Sequence, residues 1–219
     1  MRKVFQAELQ SIGEELTHMS ELVAQAMERA FESFENVDTE VAQEVIAGDA
    51  KIDFLQNQLD ERAIDVLALQ GPVASDLRMI VGSLRMSASL ERMGDLARHI
   101  AQLARLRYPQ NVVPASIAPI FREMADLDVQ IARKLGDLLT TRDLTIAKEI
   151  IALNSRIDEL HVSVFKAVAD PAWAESAPTT ADVTLTSRYL ERYGDHGVSV
   201  ARKVTYLVTG EWDPATGEL

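Results

Sequence analysis

The sequence contains an internal repeat, and this repeat restricts the fold more strongly than any other feature of the chain. Segment 38–55 aligns without gaps with segment 143–160, and segment 90–95 (LERMGD) matches segment 190–195 (LERYGD). The offsets are 105 and 100 residues, and the first alignment contains the identities Asp38/Asp143, Ala42/Ala147, Glu44/Glu149, Ile46/Ile151, Ala47/Ala152, Ile52/Ile157, Asp53/Asp158 and Leu55/Leu160. Such a repeat indicates a fold that is built twice from one structural unit.

Helical periodicity runs through both copies of the repeat. Val45, Ile52, Leu55 and Leu59 recur at steps of three, four or seven residues, which is typical of an amphipathic helix. Breaks rich in Pro, Gly or helix-capping residues separate six such segments. We predict helices near residues 3–35, 39–69, 73–107, 117–140, 143–168 and 180–209. The low aromatic content, 5 % of the chain, also favours helix over sheet.

These patterns predict an all-α protein made of two tandem three-helix bundles. Residues 1–110 are expected to form the first bundle, and residues 111–219 are expected to form the second. The stretch from Pro109 to Pro119 separates the third predicted helix from the fourth, so it is the natural junction between the bundles.

Charge and composition exclude several classes of protein. The net charge of −12 opposes nucleic-acid binding, because that binding depends on Lys and Arg that neutralise phosphates. The absence of cysteine excludes disulfides, thiolate zinc sites and cysteine nucleophiles. No apolar stretch approaches the roughly 20 residues of a membrane-spanning helix, and the first residues lack the apolar run of a signal peptide. We expect a cytoplasmic protein that reaches a membrane only through a partner.

Acidic residues four positions apart, and therefore on one helix face, occur in both halves of the chain. The pairs are Asp49/Asp53 and Glu91/Asp95 in the first half, and Asn154/Asp158 and Glu191/Asp195 in the second, where Asn154 replaces an acid. Antiparallel helices place residues level when these are equidistant from the connecting turn, and the paired positions meet this condition. The sequence therefore predicts that the four positions of each half come level across two neighbouring helices.

Acidic groups gathered at one level repel each other, and the sequence leaves open how this repulsion is relieved. Raised pKa values, arginine neighbours and a bound cation are the three alternatives. The candidate arginines are Arg92, Arg98, Arg192 and Arg202. A set of oxygen ligands without cysteine suits iron, manganese, magnesium or calcium, and zinc is also compatible.

Four further residues flank the acids. Gly94 and Gly194 lie between them in mid-helix, where Gly costs about 1 kcal/mol relative to Ala. Either close helix packing or room for a metal or a partner's backbone accounts for such glycines. His99 and Ser199 lie one turn beyond the acids and are candidates to extend a site, with an ordinary surface position as the simpler interpretation.

Several segments carry a resemblance to a known family. They are 72–78 (PVASDLR), 90–95 (LERMGD) and 189–196 (YLERYGDH), the last continuing to 206–210 (YLVTG). With these segments the chain resembles the PhoU family over essentially its whole length. The resemblance implies a non-enzymatic regulator that represses the phosphate-starvation response when phosphate is plentiful. It also implies a homodimer that acts in the cytoplasm between the ATPase subunit of the Pst phosphate transporter and a PhoR-type sensor kinase.

Members of this family carry metal clusters on paired E/DxxxD motifs, so the resemblance implies metal ligands at the matching positions. The first site would use Asp49, Asp53, Glu91 and Asp95, and the second would use Asp158, Glu191 and Asp195. Divalent or trivalent ions are expected, with iron, zinc, manganese and magnesium as candidates. Because Asn154 removes an acid from the second site, the first site is expected to be the stronger one.

Two other interpretations remain open at this point. In one, the protein is a metal-free structural adaptor whose acidic faces dock on a basic partner. In the other, it is a di-iron bundle oxidase that uses the segments 15–18 (ELTH) and 158–161 (DELH), although these occupy unmatched repeat positions. The sequence has no Gly-rich phosphate loop and no recognisable nucleophile and base pair, so we predict no enzymatic activity.

Overall fold

The computed structural model describes residues 2–211, with side chains from residue 5, and the regular elements in that range are all α-helices. They are α1 (Arg2–Asn36), α2 (Thr39–Gln70), α3 (Ser75–Arg107), α4 (Ala118–Thr141), α5 (Leu144–Ala169) and α6 (Ala177–Thr209). The all-α prediction with two sets of three helices is thereby confirmed. None of the helices in the described range combines the length and the apolar character needed to cross a bilayer.

The predicted helix ends agree with the observed ones to within three residues, and α6 shows the largest difference. The sequence predicts a start at residue 180, whereas the helix begins at Ala177. Ser176 caps it, because the Ser176 hydroxyl accepts a hydrogen bond from the Thr179 N–H at 3.3 Å. Pro178 lies in the first turn, where its missing N–H costs nothing because that group has no intrahelical partner. A proline that the sequence analysis assigns to a loop therefore belongs to the helix.

The turns before α2 and α5 share one backbone geometry. Val37 and Arg142 both adopt left-handed φ angles, of 55° and 57°. The residue that follows each is an aspartate, and Oδ1 of Asp38 and of Asp143 accepts a hydrogen bond of 2.9 Å from the N–H two residues later. These caps satisfy N–H groups that have no carbonyl partner within the helix. The repeat therefore extends to the turns that define where α2 and α5 begin.

One apolar core runs through both halves of the chain. Helix α1 packs against α2, α3 and α4, and α3 packs against α6, so helices of the two halves contact each other directly. The buried side chains of this core extend from Ile12 in α1 through Leu90 in α3 to Val204 in α6. The expected boundary between residues 110 and 111 falls in the loop between α3 and α4, and it stays a prediction of where two units divide.

Two polar contacts also join the halves. The Tyr193 side chain of α6 is fully buried, and its hydroxyl donates a hydrogen bond of 2.9 Å to the Val23 carbonyl of α1. Arg107, at the end of α3, contacts the buried Asp182 of α6 through Nε and Oδ2 at 2.5 Å and through Nη2 and Oδ1 at 2.9 Å. Together the two contacts hold α6 against both α1 and α3, which positions the residues that α6 presents to α5.

We expect Tyr193→Phe to lower the free energy of unfolding by about 1 kcal/mol, because it removes a buried hydrogen bond and retains the ring. Urea unfolding followed by circular dichroism measures this change. Tyr108→Phe is the control, since the Tyr108 side chain is 61 % exposed. Equal stability of wild type and Tyr193→Phe would show that the hydroxyl contributes nothing to the contact between α6 and α1.

Candidate metal centres

The acidic positions of each half come level across neighbouring helices, as their spacing predicts. In the first half, Arg98 contacts both Asp49 of α2 and Asp95 of α3. In the second half, Asn154 Nδ2 of α5 donates a hydrogen bond of 3.3 Å to Asp195 Oδ1 of α6. We call Asp49, Asp53, Glu91 and Asp95 the first acidic cluster, and we call Asp158, Glu191 and Asp195 the second acidic cluster.

The two mid-helix glycines lie directly against side chains of the facing helix. A Cβ atom on Gly94 would lie 2.8 Å from Ile52 Cδ1, and a Cβ atom on Gly194 would lie 2.2 Å from Asn154 Oδ1. Both distances are shorter than a carbon atom permits, so a side chain at either position would require Ile52, Asn154 or the helices that carry them to shift. Close packing therefore accounts for both glycines, and it brings the acids of facing helices together.

Arginines neutralise much of the first acidic cluster. The Arg98 Nε atom lies 2.5 Å from Asp49 Oδ2, and the same guanidinium also contacts Asp95. Arg92 Nη1 lies 2.8 Å from Asp95 Oδ2. Although burial opposes the effect, the hydrogen bond and charge of Arg98 hold the pKa of Asp95 below its ordinary value. Arginines therefore pair with Asp49 and Asp95, whereas burial raises the pKa values of Asp49 and Glu91, so both the arginine and the raised-pKa alternatives apply in this cluster.

The second acidic cluster has a different charge balance. One carboxylate oxygen from each of Asp158, Glu191 and Asp195 can be chosen so that all three lie within 4.8 Å of one another. Arg188 contacts Glu191 at 2.6 Å. The position that corresponds to Arg98, 100 residues later, is Val198, so the arginine that bridges two helices in the first half has no counterpart here.

The geometry therefore favours the second acidic cluster as a metal centre, which is the opposite of the expected ranking. In the part of the chain that the structure describes, these three side chains form the group whose ligand atoms converge. The sequence ranks the first cluster higher because spacing only counts the acids at matching positions. Spacing does not show that Arg98 forms ion pairs with Asp49 and Asp95 in the first cluster. Asp49, Asp53, Glu91 and Asp95 stay predicted ligands, and a metal there would compete with Arg98 for Asp49 and Asp95.

His99 and Ser199, the two residues that could extend the sites, contact other side chains instead. The His99 ring packs against the Tyr189 ring with centroids 5.1 Å apart, and burial lowers the pKa of His99. The Ser199 hydroxyl accepts a hydrogen bond of 2.6 Å from Lys203 Nζ. His99 is not part of the converging group of ligands among the described residues. The structure thus gives no support for extending either site through these positions.

The histidines of the di-iron interpretation do not join the acids. His161 Nδ1 lies 2.7 Å from Ser187 Oγ, and its ring meets Phe165 edge to face. His18 lies 3.6 Å from Glu21, its neighbour one turn along α1. Within residues 5–211, the group of converging ligands contains no histidine. A di-iron centre built on the segments 15–18 and 158–161 therefore has no basis in this geometry.

The sequence analysis missed two features beside the second acidic cluster. Asp128 of α4 is fully buried, and neither carboxylate oxygen has a hydrogen-bond partner within the described residues. Helix α4 carries no two acids four residues apart, so the spacing rule cannot find Asp128. The second feature is a groove of about 570 Å³ between α5 and α6, lined by Asn154, Asp158 and Asp195 and also by Lys148, Arg202 and Lys203.

We expect Gly194→Ala to destabilise the fold by about 1–3 kcal/mol, because the added Cβ would overlap Asn154 Oδ1 in a packed interface. The control is Gly48→Ala in α2, where a Cβ meets nothing within 4 Å and should raise stability by about 0.5–1 kcal/mol. Urea unfolding of both variants tests this difference. Stabilisation by Gly194→Ala would contradict the close-packing interpretation.

The metal-free protein should also show a pH-dependent stability that originates in the second acidic cluster. Burial and then the charge of Asp195 raise the pKa values of Asp158 and Glu191, so the folded state binds protons at these groups more tightly than the unfolded chain. Relative to an Asp158→Asn, Glu191→Gln variant, wild type should gain stability as the pH falls from neutrality through the raised pKa values toward the ordinary values of 3.8 and 4.5. Urea unfolding in the presence of a chelator measures this, and a difference that is independent of pH would contradict it.

Comparisons with known proteins agree with the repeat and with the fold. The model of the PhoU domain matches residues 16–104 and, a second time, residues 121–204. The phosphate-specific transport system accessory protein PhoU homolog 2 of Mycobacterium tuberculosis is 37 % identical over 210 residues, which are 96 % of this chain and 99 % of the relative. The PhoU homolog 1 of Mycobacterium leprae is 37 % identical over 212 residues, which are 97 % of this chain and 96 % of the relative.

Solved structures show the same arrangement of helices. The crystal structure of the phosphate transport system regulatory protein PhoU from Streptococcus pneumoniae superposes with a TM-score of 0.85 at 24 % identity, over 95 % of this chain and 99 % of the other. The crystal structure of PhoU from Pseudomonas aeruginosa gives a TM-score of 0.85 at 26 % identity, over 94 % and 100 %. Because the domain model matches both repeats and the mycobacterial relatives align over nearly their whole length, the chain belongs to the PhoU family.

Proposed function

We propose that this protein is a regulatory accessory protein of a phosphate transport system and that it represses the phosphate-starvation response when phosphate is plentiful. The observation that carries the proposal is the similarity to relatives named as phosphate-specific transport accessory proteins, which extends over 96 % of the chain. The protein acts through contacts with other proteins and catalyses no reaction. The sequence agrees with this, since it contains neither a Gly-rich phosphate loop nor a recognisable nucleophile and base pair.

The partners in this proposal are the ATPase subunit of the transporter and a PhoR-type sensor kinase. The protein works in the cytoplasm as a homodimer and meets the membrane only through these partners. Two features support an adaptor of this kind: the net charge of −12 and the acidic clusters carried on the helix pairs α2–α3 and α5–α6. Charge of one sign on a docking face accelerates association with a partner of opposite charge and selects against other partners.

Metal binding at the acidic clusters is the second part of the proposal. In the second acidic cluster, a hard cation relieves the repulsion among three carboxylates that no arginine bridges across the helices. Such an ion holds α5 and α6 at a fixed separation, which makes its role structural. In the first acidic cluster, Arg92 and Arg98 already supply part of the countercharge.

The arginine contacts of the first acidic cluster favour an alternative in which the clusters are docking surfaces and bind no metal. The metal-binding proposal and the docking alternative predict different effects of chelators and of salt on binding to the purified cytoplasmic part of the sensor kinase. Loss of binding on chelation supports the metal version. Weakening by salt without any effect of chelation supports the docking version, because salt screens exposed charges.

The functional proposal is tested by complementation in cells that lack the native copy and carry a reporter of phosphate starvation. Wild type should restore repression in phosphate-rich medium, and Glu191→Ala with Asp195→Ala should abolish it although the helical content is unchanged. The control is Glu61→Ala with Asp65→Ala, an exposed pair on α2 with the same spacing and charge. Failure of wild type to repress would contradict the regulatory role, and full repression by the Glu191 and Asp195 variant would show that the second acidic cluster does not signal.

A further inference from the structure

The groove between α5 and α6 contains a group of basic side chains without an anionic partner. Lys148 of α5 and Arg202 and Lys203 of α6 line it, and we call these three residues the cationic end of the groove. None of them forms an ion pair within the described part of the chain, although the sequence has 34 acids against 22 basic residues. The dipole of α6 does not account for them either, because its last turn contains no basic residue.

Lys203 is the least exposed residue of the cationic end. Its side chain is partly buried, and Nζ donates hydrogen bonds to Ser199 Oγ at 2.6 Å and to the Ser199 carbonyl at 3.3 Å. Both acceptors are neutral, and one of the three N–H groups of the ammonium has no acceptor among residues 5–211. Burial and then the charge of Arg85 on α3 lower the pKa of Lys203. A partly buried ammonium near a second cation is unfavourable unless an anion joins it.

The cationic end lies two helical turns away from the second acidic cluster. Asn154 and Asp195 are level, since they share a hydrogen bond of 3.3 Å. Moving seven residues toward the start of α5 and toward the end of α6 reaches Ala147 and Arg202. This shift corresponds to about 10 Å along the helix axis, a distance at which salt screens charges strongly. An anion at the cationic end is therefore separated from the carboxylates and needs no metal ion as a bridge.

The first repeat lacks these basic residues. With the offsets of 105 and 100 residues, the matching pairs are Lys148/Gln43, Arg202/Gln102 and Lys203/Leu103. The same helix pair therefore packs in the first half with neutral side chains at all three positions. Packing of the repeat unit does not require the cations, so their presence in the second half indicates a role in binding.

The walls of the groove are largely apolar beside the cations. Leu144, Ala147, Ile151 and Val198 contribute to them, and the volume of about 570 Å³ is typical of a site for a small molecule. A phosphate group suits the cationic end, because a guanidinium binds two of its oxygens at once and ammonium groups pair with it as point charges. The apolar walls suit a carbon skeleton attached to that phosphate.

We propose that the groove between α5 and α6 binds a small phosphorylated ligand, whose phosphate group contacts Lys148, Arg202 and Lys203. The shared chemistry is a phosphate dianion, which either a phosphate monoester or inorganic phosphate supplies. This site is distinct from both acidic clusters. The inference goes beyond the proposed regulatory function and does not depend on it, because purified protein without any partner is sufficient to test it.

The test is isothermal titration calorimetry of the full chain with phenyl phosphate and, separately, with inorganic phosphate, in buffer freed of metal ions by a chelating resin. We expect wild type to bind at least one of them, and Lys203→Gln to bind it about 10–100 times more weakly, because a hydrogen bond to a charged group is lost. Tighter binding of phenyl phosphate supports an organic ester as the ligand, and equal or tighter binding of inorganic phosphate supports the free ion. Phenol, which has the ring without the phosphate, should not bind.

Two further variants control for folding and for net charge. Lys148→Gln with Arg202→Gln introduces the neutral residues of the first repeat at two exposed positions, and it should also weaken binding. Lys51→Gln with Lys166→Gln removes the same charge from two exposed positions outside the groove, and it should bind like wild type. If circular dichroism shows that Lys203→Gln does not fold, the Lys148 and Arg202 variant replaces it in the test.

Three outcomes would overturn the inference. They are the absence of binding of both phosphates to wild type, unchanged affinity in the folded groove variants, and equal weakening by the Lys51 and Lys166 control. None of them bears on repression in the complementation assay, so this inference and the regulatory proposal can fail separately.

Discussion

Close packing at two mid-helix glycines is the constraint on which the acidic clusters depend. Gly94 lets α3 approach α2, and Gly194 lets α6 approach α5, to distances at which a Cβ atom would overlap the facing side chain. Acids that would otherwise lie on separate solvated faces therefore meet across a helix interface. Their mutual repulsion has to be offset by a charge of opposite sign or by protonation. The two halves of this protein meet that requirement in different ways.

In the first half the countercharge belongs to the chain itself, since Arg98 bridges acids of α2 and α3. In the second half, three carboxylates converge without such a bridge. Near Gly194, the buried Asp128 carboxylate and Asn154 Oδ1 have no hydrogen-bond donor within the described residues. The two repeats thus differ in charge balance, because an arginine bridges the acids of the first half across two helices and no arginine occupies the matching position of the second half.

The core shared by the two halves connects the helices that carry the two clusters. Helices α1 and α4 pack together, as do α3 and α6, and Tyr193 bonds across from α6 to the backbone of α1. Asp128 of α4 lies near Gly194, and Tyr193 is the neighbouring residue, so the side of α6 that faces Asp128 is part of this contact region. Packed interiors transmit displacement because they contain few voids into which side chains can relax.

The sequence by itself determined the six helices, the repeat and the level at which the acids stand, because helical period, capping residues and equal distances from a turn are local properties of the chain. It also indicated the family through short segments that lie on α3 and α6. Only the tertiary structure decided which acids have their negative charge neutralised by an arginine, because spacing along a helix does not specify the direction of a long side chain such as Arg98. It also placed the buried Asp128 of α4, a helix without the acid motif, near Gly194 of α6. The packing of α4 against α5 and α6 depends on the whole core and not on local pattern.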